Sequence, residues 1–212
     1  MRTAVLTAAA SRAIAAETQA SNAVIARGLK KHDTRMMDLL IEQYQHRLLR
    51  YLLFLTGKRD LAEDLFQETW MRVLTRVSQY DGRARFDTWL FTIARNLLID
   101  NSRKRRLASL DEMTENAEDA QPFEIASDEP SPLDYLRAGE QNALLAQVLL
   151  HLDTNYREVL TLRFHEELSL DEIATVTHAP LSTVKSRLYR GLAALRPYLE
   201  NLEPNHSGED TQ

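Results

Sequence analysis

The stretch Asp60–Arg106, DLAEDLFQETWMRVLTRVSQYDGRARFDTWLFTIARNLLIDNSRKRR, decides how this chain folds. Leu61, Leu65, Thr69 or Trp70, Val73 and Val77 recur at three- and four-residue intervals, the spacing of one helix face. Asp60 is placed to cap that helix, with Glu63 as the return half of a capping box. Asp64, Gln67, Glu68 and Arg72 fall on its opposite side or flanks. A short polar loop follows around Asp81 and Gly82. Helical spacing resumes with Phe86, Trp89, Leu90, Ile93, Leu97 and Leu98, which leaves Thr88, Arg95, Asn96, Asp100 and Asn101 outward or at the edges. The basic run Arg103–Arg106 is expected to end this helix, where cations suit the C-terminus and also bind phosphate.

Upstream, Met36, Leu39, Leu40, Tyr44, Leu48, Tyr51, Leu52 and Phe54 form a long helical stripe, with Asp33 or Thr34 as its cap and Gly57 as its stop. His32 and His46 read as solvated helix residues, because neither has the close partner of a metal site. Residues 1–22 are Ala-rich, and Arg12 interrupts their weak apolar run. They fit a frayed or disordered extension better than a secretory signal. A helical domain is therefore expected over 23–106. Residues 107–134 are acidic, contain Pro122, Pro130 and Pro132, and have no apolar period, so they read as a flexible linker.

A second helical domain is expected over 135–202, followed by a polar tail at 203–212. Leu144, Leu145, Val148, Leu149 and Leu152 form its first stripe, and Asp153–Asn155 can cap a helix from Tyr156 to Phe164. LSLDEIATVTHAPLSTVKSRLYRGLAAL, Leu168–Leu195, then has helix-turn-helix spacing. Ser169 and Glu172 form a capping box, Pro180 keeps the turn out of helix, and Ser182 is placed to cap the second helix. Ala174 is small where two helices must cross, and Val184, Leu188, Leu192 and Leu195 face inward. Ser182, Thr183, Ser186, Tyr189 and Arg190 then face outward, flanked by Lys185 and Arg187. From Leu181 to Arg196 there are four cations and no acid, which suits a recognition helix in a DNA groove as well as a solvated face.

Composition bounds the function. The chain has 212 residues, 44% hydrophobic and 27% charged, enough for one or two small cores. It has no cysteine, hence no disulfide framework and no thiolate metal site. No apolar run is long enough to span a bilayer. The formal net charge of −5 hides a segregation. Met1–Arg106 holds 19 Lys and Arg against 11 Asp and Glu, Leu107–Gln141 holds 1 against 10, and Asn142–Gln212 holds 6 against 10. No nucleophile–base pair, Gly-rich phosphate loop or metal-ligand cluster points to an enzyme, a catalytic residue, a cofactor or a metal.

DLFQETW followed by FDTWLFTIARNLLIDNSRKRR resembles conserved domain two of bacterial sigma factors of the extracytoplasmic-function (ECF) group, and TVKSRLYRGLAAL resembles their fourth conserved region. The likeness covers about 23–106 and 135–198. It implies an all-α protein of two small helical domains joined by a linker, acting in the cytoplasm as a promoter-recognition subunit. Asp64, Gln67 and Glu68 match the family's motif for core RNA polymerase. Tyr80, Asp81, Arg83 and Phe86 of the loop, with Arg95 and Asn96, match the part that captures melted promoter DNA. Among these, Tyr80 is the expected stacking surface, with Trp89 as a core anchor. Ser182, Thr183, Lys185, Ser186, Arg187, Tyr189 and Arg190 match the reader of the upstream promoter element. The resemblance also implies an anti-sigma factor as partner. His178 stands where the family commonly has glycine, and Thr177 where a large aliphatic is usual. The alternative is a dimeric helix-turn-helix regulator that works without polymerase.

Overall fold

The computed structural model describes residues 19–115 and 148–200, and among these every regular element is helical. Residues 19–30 form α1. Then come α2 (Thr34–Thr56), α3 (Arg59–Arg76), a 3-10 turn (Val77–Gln79) and α4 (Phe86–Glu115). Residues 148–151 belong to α5. They are followed by α6 (Thr154–Leu160) with a π-helical turn (Thr161–His165), α7 (Leu170–Thr177) and α8 (Leu181–Glu200). The chain divides into two compact units, one within Met1–Leu49 and Glu63–Phe123, the other within Arg50–Ala62 and Glu124–Gln212.

In the first unit, α1 to α4 pack the expected stripes together. Leu40, Tyr44, Leu48, Leu65, Val73, Val77, Phe86, Leu90, Ile93 and Leu97 are buried, joined by Phe91 and Ala94. Residues 19–22, expected in a disordered extension, are helical, and Asn22 is buried. The remaining expectations for residues 1–18, 116–147 and 201–212 lie outside the described residues. Asp33 caps α2 as expected, its Oδ1 accepting from Arg35 N at 3.0 Å. His32 ends α1 with a left-handed φ of 53°. His32 N donates to Leu29 O and Asp33 N to Gly28 O, the paired bonds of a Schellman stop.

Two helix ends differ from expectation. α3 starts at Arg59, so Asp60 sits in its first turn and not at the cap. Upstream of that start, Thr56 Oγ1 accepts from Lys58 N at 3.2 Å and organises the turn. The second difference is at α4, which runs past Arg106 to Glu115. LASLDEMTE has neither Gly nor Pro and is mostly good helix formers, so nothing local stops the helix there. The prolines that mark the expected linker, Pro122, Pro130 and Pro132, all lie beyond Glu115. The exposed cations Arg103, Lys104 and Arg105 therefore lie inside the helix.

The second unit builds its core from Phe54, Val148, Leu149, Leu152, Leu160 and Leu195, with Leu188 and Ala194 against it. Leu192, expected inside, is 40% exposed. Asp153 caps α6, accepting from Asn155 N at 2.9 Å. The buried Arg157 donates to Phe54 O (2.8 Å), Leu150 O (2.8 Å) and Leu152 O (2.9 Å), placing a cation among carbonyls near two helix ends. Tyr51 donates to Glu158 at 3.1 Å, and Arg50 pairs with the fully buried Glu166 at 3.4 Å. The capping box of Ser169 and Glu172 forms as expected on α7. His178 closes that helix at φ 49°, ψ 36°, the left-handed stop that a glycine would supply. Pro180, not Ser182, occupies the cap of α8, with Val184 N donating to its carbonyl at 3.1 Å. Close helix crossing occurs at Gly191, where an added Cβ would lie 3.0 Å from Leu160 Cδ1.

Candidate polymerase and promoter-DNA surfaces

The residues expected to meet polymerase lie on the outer face of α3. Asp64, Gln67 and Glu68 are all exposed, while Leu65, Thr69, Trp70 and Val73 are buried behind them. Glu68 pairs with Arg72 one turn on, Oε1 to Nε at 3.1 Å. At this exposure such a pair contributes little and leaves the carboxylate available. Met71 and Leu74 are 58% and 46% exposed on the next turns of the same helix. They are large apolar groups displaced from the buried stripe, and that displacement was the signal available in the sequence. The surface is thus part acidic, part amide and part apolar, the mixture of a protein interface.

The loop between Val77 and Phe86 is built from inside. Tyr80 and Phe86 are each 2% exposed. Their rings meet edge to face at 5.5 Å, and Tyr44 and Trp89 complete the cluster at 5.3 Å from Phe86 and 5.2 Å from Tyr80 respectively. Tyr80, expected as a stacking surface, therefore faces the core. Its hydroxyl donates to Ala84 O at 2.9 Å and closes the loop. Burial pushes this phenol well above its ordinary pKa, with smaller contributions from Tyr44, Asp87 and Asp81, so it stays a donor. Trp89, expected in the core, is only half-buried and offers the open aromatic surface beside the loop. Arg95 and Asn96 are partly exposed further along α4.

Asp81 and Arg83 are exposed. Asp81 accepts from Arg83 N at 2.9 Å and pairs with its Nε at 3.2 Å. Gly82 has φ +77°, and an added Cβ would lie 2.9 Å from Asn22 O of α1. Gln19 Nε2 donates to Gly82 O at 3.1 Å, so α1 holds the loop from the other side.

On α8, Ser182, Lys185, Ser186, Tyr189 and Arg190 are exposed, Tyr189 at 70%. Thr183 and Arg187 are half-buried. They help line an open cleft of about 430 Å³ toward Asp153 and Asn155 at the start of α6. Arg187 Nη1 is buried there without a hydrogen-bond partner. The expected outer face of the second helix of the helix-turn-helix is therefore exposed at Ser182, Ser186, Tyr189 and Arg190 but not at Thr183, which sits at the cleft.

Residues 40–108 match the family model Sigma-70 region 2, and residues 142–195 match Sigma-70, region 4. The ECF RNA polymerase sigma factor SigW of Bacillus subtilis is 32% identical over 176 residues, covering 82% of this chain and 94% of SigW. The chain belongs to the ECF RNA polymerase sigma factors. The RNA polymerase sigma-H factor of Pseudomonas aeruginosa is 31% identical to this sigma factor, over 87% of this chain and 97% of that protein. Two solved structures share the fold. The Bartonella quintana sigma factor RpoE, in complex with the anti-sigma factor NepR, gives a TM-score of 0.64 at 24% identity over 77% of this chain and 96% of that one. CnrH, in complex with the cytosolic domain of CnrY, gives 0.60 at 22% over 85% and 97%. The region 2 match contains the α3 face, the loop and the partly exposed side of α4, and the region 4 match contains α6 to the greater part of α8. No helix among the described residues is long and apolar enough to cross a membrane.

Proposed function

We propose that this sigma factor engages core RNA polymerase through Asp64, Gln67 and Glu68, extended by Met71 and Leu74. The observation that carries this is the face of α3, where polar motif and uncovered apolar groups lie together. Asp81, Arg83, Arg95 and Asn96, with Trp89 as the stacking surface, meet melted promoter DNA. Tyr80 and Phe86 shape that loop from within. Ser186, Tyr189 and Arg190 read base edges of the upstream element, while Ser182, Thr183, Lys185 and Arg187 serve its phosphates. The protein is a non-enzymatic subunit acting in the cytoplasm with its polymerase. An anti-sigma factor as partner rests on the family resemblance. A regulator independent of polymerase leaves the α3 face without a role.

Gln67→Ala/Glu68→Ala tests the reading. The folded variant should lose core polymerase in a pull-down, by about 2–5 kcal/mol of binding. Wild-type affinity would remove the central assignment.

A further inference from the structure

Asp87 has no role among the assigned site residues, yet its carboxylate is tightly enclosed beside the loop. Its side chain is 1% exposed at the first turn of α4. Carboxylates at helix starts are favoured by the helix dipole and by backbone N–H groups even when they face water. This one accepts from Thr88 N at 2.7 Å and from Arg85 Nη2, and Arg47 Nη2 of α2 lies 3.8 Å away. Arg47 is itself placed over the rings of Tyr44 and Phe91, at 5.1 and 6.0 Å. The ion cluster thus joins the exit of the loop to two helices.

The loop carries two arginines in different states. Arg85 is bound to Asp87, whereas the side chain of Arg83 is 90% exposed. The only partner described for that side chain is Asp81, itself half-exposed, and a contact of this kind exchanges readily for a phosphate. Two tethers hold the backbone on either side of Arg83, Gln19 to Gly82 O and Tyr80 to Ala84 O, and a third, Arg85 to Asp87, ties the side chain at the loop's exit.

We infer that Asp87 is a positioning residue for promoter opening, holding Arg85 inward so that Arg83 is the loop cation presented to melted DNA. This rests on the reading of the loop as a DNA contact. A loop already in its binding geometry loses less freedom on capture of a strand, so release of the tether should weaken binding without altering any group that touches DNA.

The test uses holoenzyme reconstituted with the full chain, and a fork-junction DNA selected by wild-type holoenzyme from a randomised pool. Asp87→Asn keeps the shape and an acceptor for Thr88 N but removes the charge. It should weaken fork binding about tenfold and speed tryptic cleavage after Arg83, with core polymerase affinity within about twofold. Arg85→Gln, a change at the cluster's open edge, should reproduce both effects, and the double variant should be no worse than either single one. Arg83→Ala should weaken fork binding with no general loosening of the loop, read as unchanged exchange of its backbone amides.

Unchanged fork binding by Asp87→Asn overturns the inference. So does loss with Arg85→Gln alone, which would make Arg85 a direct DNA ligand. Loss of core polymerase binding by Asp87→Asn together with an unaffected Arg85→Gln would reduce Asp87 to a folding residue. If Arg83→Ala and Asn96→Ala also bind the fork normally, the loop does not touch DNA and the underlying reading fails as well.

Discussion

The loop at 80–86 and the outer face of α8 are assigned to the same ligand, yet they are made in opposite ways. On α8 the backbone is satisfied by the helix itself, so Ser186, Tyr189 and Arg190 can all point outward. The loop has no such ladder. Its shape comes from buried rings, one phenol hydrogen bond and an enclosed ion cluster. A duplex groove accepts a regular rod carrying side chains, whereas an unstacked base needs a surface whose irregular shape must be built. The difference teaches that exposure is enough to pick out candidate side chains on a helix, while on a loop much of the construction that would present them is hidden.

The largest expected effect breaks this contrast at its centre. Phe86→Ala should cost about 3–5 kcal/mol in denaturant unfolding, as for any buried aromatic. Tyr189→Ala should change stability by no more than about 0.5 kcal/mol yet alter promoter choice, because its side chain is mostly exposed. Equal stability losses in the two variants would erase the distinction.

Next in size is Arg190→Ala, expected to cost about 1–3 kcal/mol and to relax preference at one position of the upstream element. Lys185→Ala should instead weaken all promoters alike and lower the salt dependence of binding. Transcription from promoters randomised across that element separates the two patterns.

The two frames also differ in what titrates. In the first unit burial pushes the Tyr44 and Tyr80 phenols up, away from neutral pH. In the second, burial and then the charge of Arg50 push His165 below its ordinary value, while its ring lies 5.3 Å from that of Phe54. The folded state therefore favours neutral imidazole. Its contribution to stability is complete above the unfolded pKa of about 6.5 and is lost as pH falls through the folded value. Unfolding titrations across that window should show a decline that His165→Gln reduces.

The smallest effect concerns helix stops. His178→Gly should stabilise by up to about 1 kcal/mol in unfolding titrations, because glycine enters the left-handed region without a Cβ penalty.

That stop was legible because the family's usual glycine made His178 conspicuous. His32 adopts the same conformation, but no comparable cue marked it. Helix faces were legible wherever an apolar period ran, as from Leu65 to Val77. The length of α4 was not, since Asp111, Glu112 and Glu115 resemble a solvated linker in composition and differ from one only in lacking breakers. The burial of Tyr80 was not legible because a loop aromatic has no period to say which way it turns, whereas Trp89 lies on the apolar period of α4 and is still only half-buried. The partnership of Asp87 with Arg47 is long-range, and spacing within one helix carries no sign of it. Met71 and Leu74 were visible as apolar residues off the stripe, but only the packed fold shows that nothing among the described residues covers them fully.

The extension of α4 past its basic run changes the geometry of that charge. At a helix end, cations would gather at a pole. Within a continuing helix, Arg103, Lys104 and Arg105 are exposed on consecutive residues, each turned about 100° from the last. They form a collar around more than half of the rod's circumference. A passing polyanion therefore meets positive charge over a broad range of rotations about the helix axis, so attraction at this point demands little angular precision.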